Sequence, residues 1–190
     1  MATKEVKSKS VGREILSWVI LIAIAVIVAT IINNVLIVNA TVPTGSMEST
    51  IMSNTRLVAW RLSYTFSDPE RLDVIVFESP DGENILYVKR IVGMPGEQLD
   101  IIGGQVFING SNTPLDEWYL LEAPANNSLI NQSFQVPEGT FFVMGDNRND
   151  SKDSRGLGWN PWENLFIPQE NILGRAAFSY WPFNRIGIIR

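Results

Sequence analysis

Two short stretches hold residues whose types could do chemistry together: Thr41-Val42-Pro43-Thr44-Gly45-Ser46-Met47-Glu48-Ser49-Thr50 and Tyr87-Val88-Lys89-Arg90-Ile91-Val92. A Gly directly before a Ser lets the backbone approach closely, so the Ser46 hydroxyl and its own N–H can both point at a substrate carbonyl. On a strand, alternate residues share a face, which puts Lys89 with Tyr87 and Ile91, and Arg90 with Val88 and Val92. Both faces mix charge with apolar neighbours, so one of the two basic residues is expected to lie against hydrophobic surface. Lys is the one suited to general-base work, because burial can strip its amine of a proton while a guanidinium keeps its own. The chemistry open to such a pair is acyl transfer through an activated hydroxyl. Each stretch also has a plainer reading. A Ser in a Ser/Thr/Gly-rich loop is commonly a solvated turn residue, and the Lys89 stem can cover the sheet with its amine in water.

A third stretch, Val143-Met144-Gly145-Asp146-Asn147-Arg148-Asn149-Asp150-Ser151-Lys152-Asp153-Ser154-Arg155-Gly156-Leu157-Gly158, is dense in Gly and hydrogen-bonding side chains. That is expected of a loop folded back on its own backbone. It does not fit a calcium loop: counted from Asp146, Arg148 stands third, where an oxygen ligand is needed, and no Gly stands sixth. Composition narrows the chemistry further. The chain has no His and no Cys, which removes Ser-His-Asp and Cys-His arrangements, disulfides and nearly all zinc hydrolase sites. No metal and no cofactor is expected. A net charge of -5 argues against a nucleic-acid partner, which normally meets a clustered basic face. Peptide, lipid or protein is the expected class of partner.

The elements that must position these residues begin with an apolar segment. Residues 15–38 carry no charge and only Asn33 and Asn34 as strongly polar interruptions, which exceeds the ~20 residues needed to span a bilayer. Lys4, Lys7, Lys9 and Arg13 precede it, and the next positive charge is Arg56. The positive-inside rule therefore keeps the N-terminus in the cytoplasm and puts the chain beyond the segment outside. Val38-Asn39-Ala40 has the small-x-small form of a cleavage site, but the apolar run is longer than the about 7–15 residues of a signal peptide, so a retained anchor is expected. The expected division is a basic tail at 1–14, a transmembrane anchor at 15–38 and an extracytoplasmic β-rich domain at 39–190.

Beyond Ala40 no long stretch has helical period. Strands are expected over 71–77 and 85–92 around the turn Pro80-Asp81-Gly82, a hairpin over 99–108 around Gly103-Gly104, a loop-rich stretch at 126–133, and a strand over 140–144. The fold class is mainly β: an all-β domain, a barrel or two small sheets, behind one N-terminal helix. With 45 % apolar residues among 190, the chain has material for one such core beside the anchor. Trp60, Tyr64 and Phe66 read more readily as core residues than as side chains dipping into a membrane interface.

Four motifs stand in order behind the apolar segment. They are Pro43-Thr44-Gly45-Ser46-Met47; Leu72-Asp73-Val74-Ile75-Val76-Phe77; Tyr87-Val88-Lys89-Arg90-Ile91-Val92-Gly93-Met94-Pro95-Gly96-Glu97; and Gly145-Asp146-Asn147-Arg148 with Ser151, Asp153, Ser154 and Arg155. Together they resemble the bacterial type I signal peptidases, of the short kind with a single N-terminal anchor, over nearly the whole chain. The resemblance implies Ser46 as nucleophile and Lys89 as general base, with an oxyanion hole from the Ser46 N–H and the Thr44 hydroxyl. It implies Ser151 as the hydroxyl that orients the lysine amine, and Asp153 with Arg155 as a structural ion pair beneath the site. It also implies a β domain related to that of the Ser-Lys repressors that cleave themselves, a place in the plasma membrane, and exported preproteins with their signal peptides as substrates. Such substrates have small residues at the first and third positions before the cut, and Val42 and Val88 are placed to wall shallow pockets for them. A peptide extended between these segments would gain main-chain hydrogen bonds from the strand edges. Ser49 departs from the family pattern, which usually has Pro there.

Rival readings make different demands. Penicillin-binding enzymes need Ser-x-x-Lys and Lys-Thr-Gly, neither of which occurs. The self-cleaving repressors carry a DNA-binding head where this chain has an apolar segment. The non-enzymatic alternative is a tethered β domain that binds peptides or cell-surface partners without catalysis. Self-cleavage after Ala40 is expected to be slow and intermolecular at most, with the bond held in helix or headgroups and Ser46 too near it in sequence to bend back.

Overall fold

The computed structural model describes residues 11–83, 85–120, 122, 131–156 and 162–190. Lys4, Lys7 and Lys9, the 126–130 part of the expected loop, and Leu157-Gly158 lie outside the described residues. The chain divides into two compact units, Met1–Leu36 and Ile37–Arg190.

In the first unit, helix α1 (Val11–Ile31) continues through a wider π turn (Ile32–Leu36), and none of the side chains of either is buried within the chain. The span Val11–Leu36 is long and apolar enough to cross a membrane. Its polar side chains bond back to the helix itself: Ser17 Oγ donates to the Arg13 carbonyl, Thr30 Oγ1 to that of Val26 and Asn33 Nδ2 to that of Ala29. Polar groups satisfied in this way are tolerated among aliphatic side chains. The helical run ends at Leu36, short of the expected boundary at Val38, because Ile37 opens a strand.

In the second unit the strands are β1 (Ile37–Val42), β2 (Thr55–Trp60), β3 (Val74–Glu78), β4 (Leu86–Gly93), β5 (Gln98–Ile102), β6 (Gln105–Ile108), β7 (Gln132–Gln135), β8 (Thr140–Met144), β9 (Ile167–Pro168), β10 (Ile172–Trp181) and β11 (Gly187–Ile188). They make a large sheet ordered β1-β2-β10-β3-β4-β8-β9, with β11 beside β10, and a small sheet ordered β6-β5-β7. Every pairing is antiparallel. The chain is thus mainly β with one apolar helix at its start.

Strand β1 forms where the apolar run changes period: Val38, Ala40 and Val42 turn inward while Asn39 and Thr41 face out. Ala40 is therefore not in a helix. It pairs with Leu57 on β2 and is buried, so a cut after it would first require β1 to leave the sheet. The β-branched run of β3 and the centre of β4 are buried on both faces. Val74, Val76 and Val88 join Val38, Val42, Met47 and Leu57 in one core, while Ile75, Phe77 and Ile91 join Phe141, Val143 and Trp162 in another. Strands covered on both faces read as continuous apolar runs, which is why these two were visible in the sequence. The β5–β6 hairpin turns through Gly103 and Gly104, both at positive φ (58° and 81°), as a two-residue turn of this hand requires.

Two expectations about loops and aromatic residues are corrected. Gln132 and Ser133 belong to β7 instead of a loop, paired with Ile101 and Asp100. Trp60 and Phe66 are 46 % and 85 % exposed, so neither is a core residue. The reason for Trp60 is phase, since Thr55, Leu57 and Ala59 take the inward positions of β2. Tyr64 is half-buried, and its hydroxyl donates to Asp73 Oδ2 at 2.8 Å.

Candidate active site

Ser46 sits in a tight turn after β1. The Glu48 N–H donates to the Gly45 carbonyl at 2.9 Å, the Ile51 N–H to that of Met47 at 2.7 Å, and the Asn54 N–H returns to that of Val42 at 2.7 Å. Met47 has no exposed surface and plugs the turn into the first core. Lys89 comes from the centre of β4, where its backbone pairs with Ile75 of β3. The two side chains meet with Lys89 Nζ 2.5 Å from Ser46 Oγ, and the Thr44 hydroxyl lies 3.4 Å from the same oxygen.

Lys89 is only 2 % exposed. Burial lowers its amine from 10.5 to about 8, against the opposing pull of Asp153 and Asp146 and with a further push from Arg155. Among the described residues no carboxylate forms an ion pair with it. Near pH 8 an appreciable fraction of such an amine is neutral, and a neutral amine in hydrogen-bond reach of a hydroxyl can take its proton.

Buried guanidinium–carboxylate pairs surround these two residues. Arg90 donates from Nε and Nη2 to Asp146 at 2.9 and 2.7 Å, and also to the Leu72 carbonyl at 2.8 Å and Thr50 Oγ1 at 3.0 Å. Arg155 grips Asp153 through two bonds of 2.9 and 2.8 Å, and Asp153 accepts the Gly145 N–H at 3.0 Å. Burial opposes the charge on Asp153, but Arg155 outweighs it and holds the carboxyl below its ordinary range. Arg148 pairs with Glu117. Gly145 leaves room for the site: a Cβ there would collide with Ser151 Oγ and with the Ser46 carbonyl. Through that space the Asn147 N–H reaches the Ser46 carbonyl at 3.1 Å, and its side-chain amide reaches that of Gly45 at 3.2 Å.

A groove of about 350 Å³ opens beside Ser46 and Lys89, walled by Val42 and Val88 with Pro43 and Tyr87, and with Asp150 and Lys152 also in its lining. A larger depression of about 660 Å³ is lined by Gly103, Gly104 and Pro114 to Trp118, and includes neither Ser46 nor Lys89. The smaller groove is the one next to reactive groups.

The structure thus brings Ser46, Lys89 and Thr44 together, puts Val42 and Val88 in the groove wall, and joins Asp153 to Arg155 behind Gly145. Ser151 Oγ is buried beside Asp153, which it helps to keep charged, but makes no well-formed hydrogen bond to Lys89. One of Lys89 and Arg90 was expected to lie against hydrophobic surface, and both are buried. Asp146 satisfies its charge from a site distant in sequence, which no local pattern announces. Glu117 and Tyr119 were not singled out in the sequence either, although both contact the arginines of the site.

A family model described as signal peptidase, peptidase S26, matches residues 15–181. The chain is 38 % identical over 153 residues to a protein named Signal peptidase I from Leptolyngbya laminosa, which covers 77 % of this chain and 70 % of that one. It is 29 % identical to a Signal peptidase I from Rickettsia felis, across 98 % of this chain and 88 % of the other. A solved signal peptidase I from Enterococcus faecalis V583 matches at 34 % identity and a TM-score of 0.45, over 57 % of this chain and 97 % of its own. With the family match running from inside α1 to the end of β10, the chain belongs to the signal peptidase family, peptidase S26.

Proposed function

We propose that this protein is a membrane-bound serine endopeptidase that removes N-terminal signal peptides from exported preproteins, with Ser46 as nucleophile and Lys89 as general base. The observation that carries the reading is a buried amine, without a paired carboxylate among the described residues, 2.5 Å from a hydroxyl at the edge of a groove. Neutral Lys89 takes the Ser46 proton as Oγ adds to the scissile carbonyl. The charge on the carbonyl oxygen is held by the Ser46 N–H and the Thr44 hydroxyl. The Lys89 ammonium then protonates the leaving nitrogen, the C–N bond breaks, and an ester remains on Ser46. Lys89 next takes a proton from water, which adds to the ester and releases the carboxylic acid and the free hydroxyl. Ser151, buried beside Asp153, steadies the amine once it is neutral, and Asp153 with Arg155 supports the floor of the site.

Val42 and Val88 line the groove, and their side chains would wall pockets for small side chains at the first and third positions before the cut. The apolar span Val11–Leu36 serves as the anchor, with the basic residues before it in the cytoplasm and the β unit outside. Lipid is a second partner. Trp60, Phe66, Trp181 and Phe183 are exposed aromatic side chains of the kind that settle at a membrane–water interface.

The test is cleavage of a preprotein by the full-length protein in detergent. Wild type should cut after a small-x-small site, and Ser46→Ala and Lys89→Ala should each lose about four orders of magnitude or more, as a nucleophile and its only base act as a unit. Either variant cutting well while folded would sink the reading. A serine-acylating probe separates this enzyme from a tethered peptide-binding domain, which would not be labelled at Ser46.

A further inference from the structure

We propose that Tyr119, outside the four motifs, is a positioning residue for this hydrolysis: it clamps the turn that holds Ser46 against Lys89. The inference rests on the reading of Ser46 and Lys89 as nucleophile and base. It begins with strain. Ser49 has φ of 100°, a left-handed backbone that non-Gly residues rarely adopt and keep only where their surroundings hold them.

What holds Ser49 is Tyr119. The Ser49 hydroxyl donates to the Tyr119 carbonyl at 2.7 Å, across 70 residues of sequence. The next residue, Thr50, donates to Asp146 Oδ2 at 2.5 Å and accepts from Arg90 Nη2 at 3.0 Å. The Tyr119 ring lies over that same guanidinium, 4.0 Å from its central carbon, well within cation–π range. The Tyr119 hydroxyl donates to Glu117 Oε1 at 2.7 Å and accepts from Arg148 Nη2 at 3.2 Å, and Arg148 Nε donates to the Gly145 carbonyl at 3.2 Å. Ser46 is held from two sides, by its own turn and by Gly145–Asn147. Both supports lead to Tyr119, one through its carbonyl and ring and the other through its hydroxyl. Burial, with Glu117 beside it, keeps the phenol protonated well above its ordinary range, so the donor persists at the alkaline pH that favours a neutral lysine.

Without these contacts Ser49 is free to relax toward negative φ, and the rotation displaces Ser46, three residues earlier in the same turn. The groove walls Val42 and Val88 are not part of the clamp. Loosening it therefore lowers kcat and leaves KM nearly unchanged, whereas a merely stabilising contact would lower the folded fraction and leave kcat per folded molecule intact.

The test is preprotein cleavage by full-length protein in detergent, with the folded fraction of each variant measured by circular dichroism. Tyr119→Leu removes ring and hydroxyl together, Tyr119→Phe the hydroxyl alone, and Ser49→Ala the bond to the carbonyl. Because a misplacement of ~1 Å can cost about 100-fold, Tyr119→Leu is expected to lose at least about tenfold in kcat and the milder variants about threefold, with KM within about twofold. If Tyr119→Leu does not fold, Tyr119→Phe and Ser49→Ala carry the test. Wild-type kcat per folded molecule in these variants overturns the clamp, and so does a raised KM with kcat unchanged, which would put Tyr119 against substrate. Ser46→Ala and Lys89→Ala run beside them: activity in either refutes the underlying reading, while two dead controls beside fully active Tyr119 and Ser49 variants refute the clamp alone.

Discussion

Lys89 and Arg90 are neighbours on β4, and both are sealed from solvent, yet their surroundings are opposite. Arg90 faces both oxygens of Asp146, and it also meets the carbonyls of Leu72 and Arg190, the Thr50 hydroxyl and the Tyr119 ring. Lys89 faces a hydroxyl. A buried cation that is paired keeps its proton, while one left unpaired lowers its pKa. At the same depth of burial, one residue is tied into an ion pair and the other has its pKa lowered. Arg148 and Arg155 resemble Arg90, each on its own carboxylate, whereas Lys89 has no ion pair among the described residues.

The contrast is sharpest in stability. Asp146→Ala leaves Arg90 buried and unpaired, and should destabilise the fold by about 3–5 kcal/mol. A thermal or denaturant melt measures this, and a loss below about 1 kcal/mol would mean that the pair contributes little to the fold. Lys89→Met should do the reverse. With Lys89 at about 8 in the folded state against 10.5 unfolded, the folded chain carries an unfavourable buried charge below pH 8. Between pH 8 and 10.5 it releases a proton that the unfolded chain still holds, so stability rises with pH across that window and is level on either side. Removing the amine should therefore stabilise the protein at pH 7, by on the order of 3 kcal/mol at most, and abolish the rise. Melts of wild type and Lys89→Met at pH 7 and pH 10 check the sign, and a less stable variant at pH 7 would break the comparison.

The smallest effect concerns the tuning of the amine. Below pH 8 the cleavage rate should climb about tenfold per pH unit and then level, as the neutral fraction of Lys89 grows. The exposed carboxylate of Asp150 adds a weak upward pull on that pKa. Asp150→Asn should move the midpoint slightly downward. A wild-type profile that is flat from pH 6 to pH 9 would show that no group near pH 8 controls the step.

Legibility tracked the range over which each feature is encoded. Strands β3 and β4 and the Gly103-Gly104 hairpin were readable because their apolar runs and turn residues are contiguous. The first two residues of β1 read as the end of the apolar segment, since Ile37 and Val38 continue its run. Trp60 was misread because its exposure depends on the phase of β2. Ser46 and Lys89 were legible as types in motifs. Tyr119 was not: its carbonyl, ring and hydroxyl act on Ser49, Arg90 and Arg148, residues linked to it only by the fold.

The sequence by itself narrowed the chemistry, because a chain without His or Cys excludes the Ser-His-Asp and Cys-His arrangements, and it determined that a long apolar segment precedes the β unit. It showed that the lysine, not the adjacent arginine, is the cation able to surrender a proton, but not whether a carboxylate would meet that lysine. That depends on where a carboxylate lies within the fold. Asp146 reaches Arg90 from 56 residues away in sequence, while Lys89 is left with Ser46, 43 residues away, so tertiary packing alone decided that one charge is compensated and the other is expelled.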